Sequence, residues 1–413
     1  MKVKPNFLKF RIYAVLSNHD FFLIWLGEIF SRIGDGFYFI ALIWLIMEMT
    51  GSGAAVGMIM AIYTGGGLIF GLIGGALADR WNRKRLMILS GILSALFTGL
   101  IPVFHGGRIL NLPLLAGLVF LLSAVTQLFE PALDSSIPNI VHESQLMTAN
   151  ALDRSTRELG QILGPALGGI LIAIIGITNV FYIDAASFLI ISATITLARV
   201  PQKLFPIEEK LTVGKLFADI WKGCCFIKGQ VIILSVILIA FVANMALAPL
   251  TIVTAFFVKE ILREGPQVFG FLMSGLGVGA LTGMLLLGAM GERFRKGRTI
   301  LFGFVLIGLA MGLVGITFHI YQTLFCFILL GTGMALINVP YLTILQSLTP
   351  DHLRGKVLST DRTLSMASIP ISQAGAGFLV EWMGPRLLFG ILGVILLFCA
   401  IVAVCIRELR EIR

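Results

Sequence analysis

Apolar residues come in long blocks along this chain, separated by short polar stretches. The blocks lie at roughly 21–47, 54–78, 86–104, 113–135, 157–177, 179–199, 231–257, 266–290, 299–318, 321–344, 364–380 and 386–406. A helix needs about 20 apolar residues to cross the hydrocarbon of a bilayer, and each block approaches that length. The short alternating segments of a β-barrel are absent. The pattern predicts an all-α integral membrane protein with twelve spans, and an even number puts both termini on one side.

Composition agrees. Of 413 residues, 57% are hydrophobic and 13% charged, with a mean hydropathy of +0.96; a soluble domain carries about 25% charged residues. The net charge of +9 does not point to nucleic acid, because the cations are confined to short connections. Nearly all of the 31 lysines and arginines fall in connections on the same side as the N-terminus, whereas the opposite loops hold only Arg108, Lys259, Arg263 and Arg386. That asymmetry places both termini in the cytoplasm. The first block is too long for a signal-peptide core and is read as a retained span. The five cysteines have no framework spacing and are read as packing residues.

The chain repeats itself. Gly75-Ala76-Leu77-Ala78-Asp79-Arg80-Trp81-Asn82-Arg83-Lys84-Arg85 follows the second block, and a degenerate copy, Gly288 to Arg298, follows the eighth. Gly75 maps to Gly288, Asp79 to Glu292, Arg80 to Arg293 and Arg83 to Lys296. Asp153-Arg154-Ser155 is matched by Asp361-Arg362-Thr363 in the same way. The expected organisation is a six-helix bundle over 1–198, a cytoplasmic linker over 199–230 and a second six-helix bundle over 231–413. Within the linker, Leu211 to Phe226 mixes apolar residues with lysines, as an amphipathic helix at the inner membrane surface does.

Three charges sit inside the first apolar block. Glu28 and Arg32 are four residues apart and Arg32 and Asp35 three, so one helix face carries all of them. Ionisable groups at that depth are costly unless paired or wet, and they mark a pathway by default. One protonation would neutralise the set, which makes Glu28, Arg32 and Asp35 a candidate proton-coupling group; the alternative is a static salt bridge. Further polar candidates for a cavity are Gln127, Glu130 and Asp134 in the fourth block, Asn244 in the seventh and Asn338 in the tenth. Asp184 lies near the outer end of the sixth block, where water can solvate it.

The stretch from Gly75 to Arg85 resembles the loop signature of the major facilitator superfamily, G-x-x-x-D-[RK]-x-G-[RK]-[RK], with Asn82 where the family usually has glycine. Asn tolerates a left-handed turn. The resemblance implies the major facilitator fold, two pseudo-symmetric six-helix bundles with spans one, four, seven and ten around a central cavity. It also implies a cytoplasmic gate formed by Gly75, Asp79, Arg80, Arg83 and Lys84, with a second copy at Gly288, Glu292, Arg293 and Lys296. Gly160, Gly164, Pro165, Gly168 and Gly169 resemble the G-P-x-x-G-G antiporter motif of exporters; their spacing also makes a groove for a neighbouring helix. Phe129-Glu130-Pro131-Ala132, Ala149-Asn150-Ala151-Leu152 and Asp184-Ala185-Ala186-Ser187-Phe188-Leu189 resemble the macrolide-efflux and enterobactin-exporter branch of drug–proton antiporters. The fourth block lacks the arginine of many such antiporters and carries Gln127 instead.

No phosphate-binding loop of the G-x-x-x-x-G-K-[ST] type, no nucleophile elbow and no metal-ligand spacing among the five histidines is present. The expectation is therefore a transporter, not an enzyme, needing no cofactor or metal. It is a monomer in a bacterial-type plasma (inner) membrane, with protons, a small molecule and the bilayer as partners. The expected activity is proton-driven export of amphipathic molecules of the drug, macrolide or siderophore type by alternating access. A lipid or lysophospholipid flippase and a proton-coupled importer are the alternatives. If the gate assignment holds, Asp79→Asn shifts the protein toward inward-facing states, seen as greater labelling of cysteines placed in the inner vestibule; unchanged labelling would reduce the motif to a topology signal.

Overall fold

The computed structural model describes residues 12–201, 225–291 and 295–406; at positions 72, 73, 75, 76, 78–80 and 352 it describes the backbone alone. The described residues are almost entirely helical. In order they form α1 (His19–Thr50), α2 (Gly53–Arg80), α3 (Arg83–Gly106), α4 (Leu112–Ile140), α5 (Leu146–Ile175) and α6 (Ile177–Leu197). Then follow α7 (Val231–Leu247), α8 (Leu250–Phe256), α9 (Pro266–Met290), α10 (Lys296–Ile316), α11 (Ile320–Leu348) and α12 (Asp351–Cys405). The amphipathic stretch expected in the linker lies mostly outside the described residues, as do Glu292 and Arg293.

Polar residues at the block edges start the helices. Asn82 caps α3 by accepting from the Arg85 N–H at 2.9 Å, and Asn111 caps α4 by accepting from the Leu114 N–H at 2.9 Å. The backbone of Asn82 is extended (φ −66°, ψ 110°). The asparagine at the family's glycine position is thus a helix cap and not a left-handed turn, which corrects the expectation above. The seventh block is interrupted: α7 stops before Pro249, and α8 runs on into a π-helical segment, Phe257–Leu262.

Single glycines divide two pairs of spans. Gly176 (φ 82°, ψ 158°) separates α5 from α6, and Gly384 (φ 77°, ψ 160°) breaks α12. That conformation is open to glycine and to almost nothing else. The stretch Leu353–Cys405 is 53 residues long; at about 1.5 Å per residue it reaches about 80 Å, well over two hydrocarbon widths of about 30 Å. Broken at Gly384, it supplies the eleventh and twelfth crossings.

Contacts divide the chain into two units, one from Met1–Leu45 and Ile62–Glu208, the other from Ile46–Ala61 and Glu209–Arg413. In hydrocarbon, helices gain little from burying apolar side chains against each other, so they associate where small residues let backbones approach. In the first unit α1 meets α5 at Gly36 and Gly164, and α6 at Gly34 and Ser187. In the second, α9 meets α11 at Gly279 and Gly331, α10 meets α12 at Gly308 and Gly393, and Gly57 of α2 meets Gly377. Large apolar side chains such as Phe302, Phe325, Ile371 and Trp382 remain exposed, as on a surface that faces lipid.

Gly384→Ala and Gly375→Ala provide a matched test, since a Cβ at either position meets no atom within 4 Å. The first forces alanine into the glycine-only region and costs about 1–3 kcal/mol. The second sits in regular helix and stabilises by up to about 1 kcal/mol. Melting temperatures of the purified protein in detergent should fall for the first and not for the second.

Candidate functional site

The charges of the first span do not stand alone. On α1, Arg32 pairs with Glu28 at 3.1 Å and approaches Asp35 at 3.9 Å. Its guanidinium also bonds the Glu130 carboxylate of α4. The other Glu130 oxygen is held by Arg157 of α5. Arg157 pairs in addition with Asp153 at 3.1 Å, with Asp134 at 2.8 Å and with Glu28 at 3.8 Å. Five carboxyls and two guanidiniums from three helices thus form one connected set. Glu28 and Asp153 are buried, whereas the side chains of Asp35 and Asp134 are 45% and 60% exposed.

Local sequence explains how these groups converge. Glu130 and Asp134 lie one turn apart on α4, and Asp153 and Arg157 one turn apart on α5, so each pair shares a face. The antiporter-type motif brings α5 against α1. A Cβ at Gly160 would stand 2.7 Å from Arg32 Cβ, one at Gly164 would stand 2.8 Å from Gly36 Cα, and one at Gly168 2.9 Å from Phe37 Cα. Any side chain larger than hydrogen at Gly164 would push the two backbones apart. Trp25 of α1 adds a tie, its indole N–H donating to the Thr156 hydroxyl at 2.9 Å.

The network borders two spaces. Glu28, Arg32, Asp35, Tyr63, Gln127 and Glu130 line a cavity of about 140 Å³. That holds several waters but falls short of the 300–1,000 Å³ of a drug-sized site. Asp134, Asp153, Arg154, Arg157 and Glu158 line a cleft of about 580 Å³. The ion pairs joining Arg157 to Glu130 and to Glu28 run between the two. Gln127 lies across the glycine face of α2, beside Gly67, Gly71 and Gly74. Pro131 cannot donate a backbone hydrogen bond to the Gln127 carbonyl, and that carbonyl faces Gly74.

The remaining sequence-predicted residues distribute as follows. Gly75, Asp79 and Arg80 end α2, and their side chains are outside the described ones. Arg83 donates to the Ser135 carbonyl at 2.7 Å. Lys84 donates to the Thr196 and Ala198 carbonyls, both at 2.8 Å, and so caps the C-terminal end of α6. Gly288 of the second copy has open space around it, and Lys296 begins α10. Gly169 is buried in α5. Asn244 and Asn338 belong to the second unit, on α7 and α11, with Asn338 exposed. Asp184 departs from expectation: it is not solvated at a helix end but fully buried, because Gly34 lets α1 close over it.

Two members of the network, Arg157 and Asp153, escaped the sequence reading, which placed them with the topology-setting and repeat-marking residues. A signal was present. Two acids one turn apart in an apolar span call for a cation from a neighbour, and an aspartate four residues before an arginine opens the next span.

The chain can be placed among known proteins on this basis. The family model described as "Transmembrane secretion effector" matches residues 11–412. The multidrug efflux pump Tap of Mycolicibacterium fortuitum is 27% identical over 400 residues, covering 94% of this chain and 96% of the relative. Macrolide efflux protein A of Streptococcus pyogenes is 22% identical over 398 residues, covering 95% and 97%. Among solved structures, the nucleoside transporter NupG superposes with a TM-score of 0.74 at 13% identity, over 93% of this chain and 99% of that one. A bacterial homologue of the human lysosomal transporter Spinster superposes at 0.71, also at 13% identity, over 93% and 95%. The fold, the apolar spans and a family match over nearly the full length agree: the chain belongs to the transmembrane secretion effectors of the major facilitator superfamily, multi-pass membrane transporters of the efflux type.

Proposed function

We propose that this protein is a proton-driven exporter of amphipathic small molecules, working by alternating access between two six-helix halves with both termini in the cytoplasm. The observation that carries the proposal is the charge imbalance around the cavity. Five carboxyls share two arginines. Fully ionised, the set is electrically unbalanced in a place where charge is expensive. Protons relieve that excess, and a positive substrate or a change of exposure displaces them.

The geometry supports a division of labour. Asp35 is the proton port: it borders the cavity, it is half-exposed, and its link to Arg32 at 3.9 Å is the longest in the network. Glu130 is the latch, one oxygen to each arginine. A proton arriving at Asp35 releases part of Arg32's charge to Glu28 and Glu130 and tightens the join of α1 to α4 and α5. Its departure loosens that join. The relatives named for multidrug and macrolide efflux support export as the direction and amphipathic compounds as the substrate class. The small polar cavity serves protons and water. Drug-sized substrate needs space elsewhere, to which Gln127, Asn244 and Asn338 are candidate contributors. The Gly75–Lys84 motif and its Gly288–Lys296 copy serve as cytoplasmic gate elements, and the working unit is a monomer.

Two substitutions separate port from latch in proteoliposomes, with ethidium and erythromycin as probes and an internal pH dye as readout. Asp35→Asn should abolish probe-dependent proton movement while the melting temperature stays within a few degrees of wild type. Proton movement persisting in that variant would remove Asp35 from the coupling path. Glu130→Gln keeps one acceptor oxygen but removes the charge both arginines share and leaves one of them facing an amide N–H. Removing one partner of a buried pair costs about 3–5 kcal/mol, and Glu130, being part-exposed, should cost less. A lower melting temperature together with weakened transport is expected; wild-type stability would show that Glu130 is not the latch.

A further inference from the structure

One carboxyl outside the ion-pair network is buried with no cation among the described residues to balance it. Asp184 of α6 has no solvent exposure. Its Oδ1 lies 3.4 Å from the Ser187 hydroxyl, which also donates to the Asp184 carbonyl at 2.8 Å. Its Oδ2 has no hydrogen-bond partner among the described residues. No described ion pair includes it. Gly34 seals the site from the α1 side, since a Cβ there would stand 2.5 Å from both Asp184 Oδ1 and Ser187 Oγ. A bare carboxylate in such a slot bears the full cost of lost hydration, and the neutral acid bears far less of it.

A second orphan lies one turn along α1. The Tyr38 hydroxyl is buried and likewise has no partner among the described residues. Its ring packs edge-on against Phe181 of α6, centroids 5.8 Å apart, and 6.3 Å from the ring of Tyr63. Tyr63 in turn lines the cavity with Asp35. One phenol therefore lines the cavity and a second packs between its ring and Phe181, one turn before Asp184 on α6. The titratable groups that face Asp184 are Asp35 and Tyr38 from α1 and Tyr63 from α2. The α3 stretch that meets α6 at Gly99 and Ala185 has no titratable residue over positions 95–102.

We infer that Asp184 is a second proton-binding site, loaded in the arrangement seen here and exchanging its proton with Asp35 through the hydroxyls of Tyr38 and Tyr63. The inference rests on the proton-coupled reading for its role in transport, though not for the protonation itself. The transfer is balanced. Neither the Tyr38 hydroxyl nor Asp184 Oδ2 is hydrogen-bonded among the described residues, so the relay runs when a rotation of the Tyr38 side chain or a water closes the gap. Asp35 then gives a proton to Tyr63, Tyr63 its own to Tyr38 and Tyr38 its own to Asp184 Oδ2. Both phenols end unchanged, Asp35 is left as a carboxylate and Asp184 as the acid. An internal store separates the moment a proton enters the protein from the moment Asp35 becomes free to act on Arg32.

Infrared difference spectroscopy on the full-length protein in proteoliposomes tests this. Wild type should show the carbonyl band of an undissociated carboxylic acid at neutral pH, lost in Asp184→Asn and retained in Asp35→Asn. Tyr38→Phe deletes a hydroxyl with no partner among the described residues, so folding should be unaffected. The band should remain, and its shift on transfer to heavy water should be slower. Undiminished band intensity in Asp184→Asn overturns the inference. Should that variant fail to fold, unchanged exchange in Tyr38→Phe overturns the relay. Ethidium-dependent proton movement is measured on the same vesicles. If wild type shows none while the band behaves as expected, the coupling reading fails and the Asp184 proton site stands. If wild type moves protons and the band is absent, the reverse holds.

Discussion

Everything at the candidate site depends on how closely α5 approaches α1. Gly160, Gly164 and Gly168 face Arg32, Gly36 and Phe37 across the contact. That approach brings Arg157 within reach of Glu28 and Glu130. Without it, Glu28, Asp35 and Glu130 would compete for Arg32 alone beside a cavity that holds only a few waters. In a bilayer, close backbone contact is also the main source of helix association. The same glycines therefore hold the bundle together and assemble its charges. A motif that reads as an exporter signature is, physically, the spacing that allows an arginine of one helix to neutralise carboxyls of two others.

The duplicated sequence does not duplicate this chemistry. Asp153 and its copy Asp361 occupy matching places in the repeat. In the first unit Asp153 pairs with Arg157. In the second, Asp361 accepts from the Tyr341 hydroxyl of α11, a neutral partner. The position matching Glu130 is Val339, and Ser365 stands where Arg157 would fall. The first unit carries the linked charges and the second carries a hydrogen bond. The backbone repeat survives in finer detail than the side chains: Gly176 and Gly384 share the same unusual conformation between the fifth and sixth, and the eleventh and twelfth, crossings. Turn geometry and helix packing are set by what the membrane tolerates and recur in both halves, whereas the ionisable residues at matching positions differ.

Much of the fold is legible in the order of the residues. Block length marks the spans, since the hydrocarbon imposes a minimum, and the lysines and arginines mark the connections. The site was legible in half. Glu28, Arg32 and Asp35 stand out because they interrupt an apolar run. Arg157 does not, because it sits near a block edge where a cation has an ordinary reason to be. Asn82 looked like a stand-in for glycine in a turn and is a helix cap. Asp184 looked like a residue near the water and is enclosed, because the decisive neighbour, Gly34, lies on a different helix.

The sequence by itself determined the membrane class, the number of crossings, the internal repeat and the presence of costly charges in the first span. Each follows from transfer energetics along one dimension, where length and polarity are enough. Only the tertiary structure decided which charges are joined, which acid is left unpaired and where the cavity lies. Those are questions of distance between helices far apart in the chain. The answer depends on single glycines, whose missing side chains set how near one backbone can come to another.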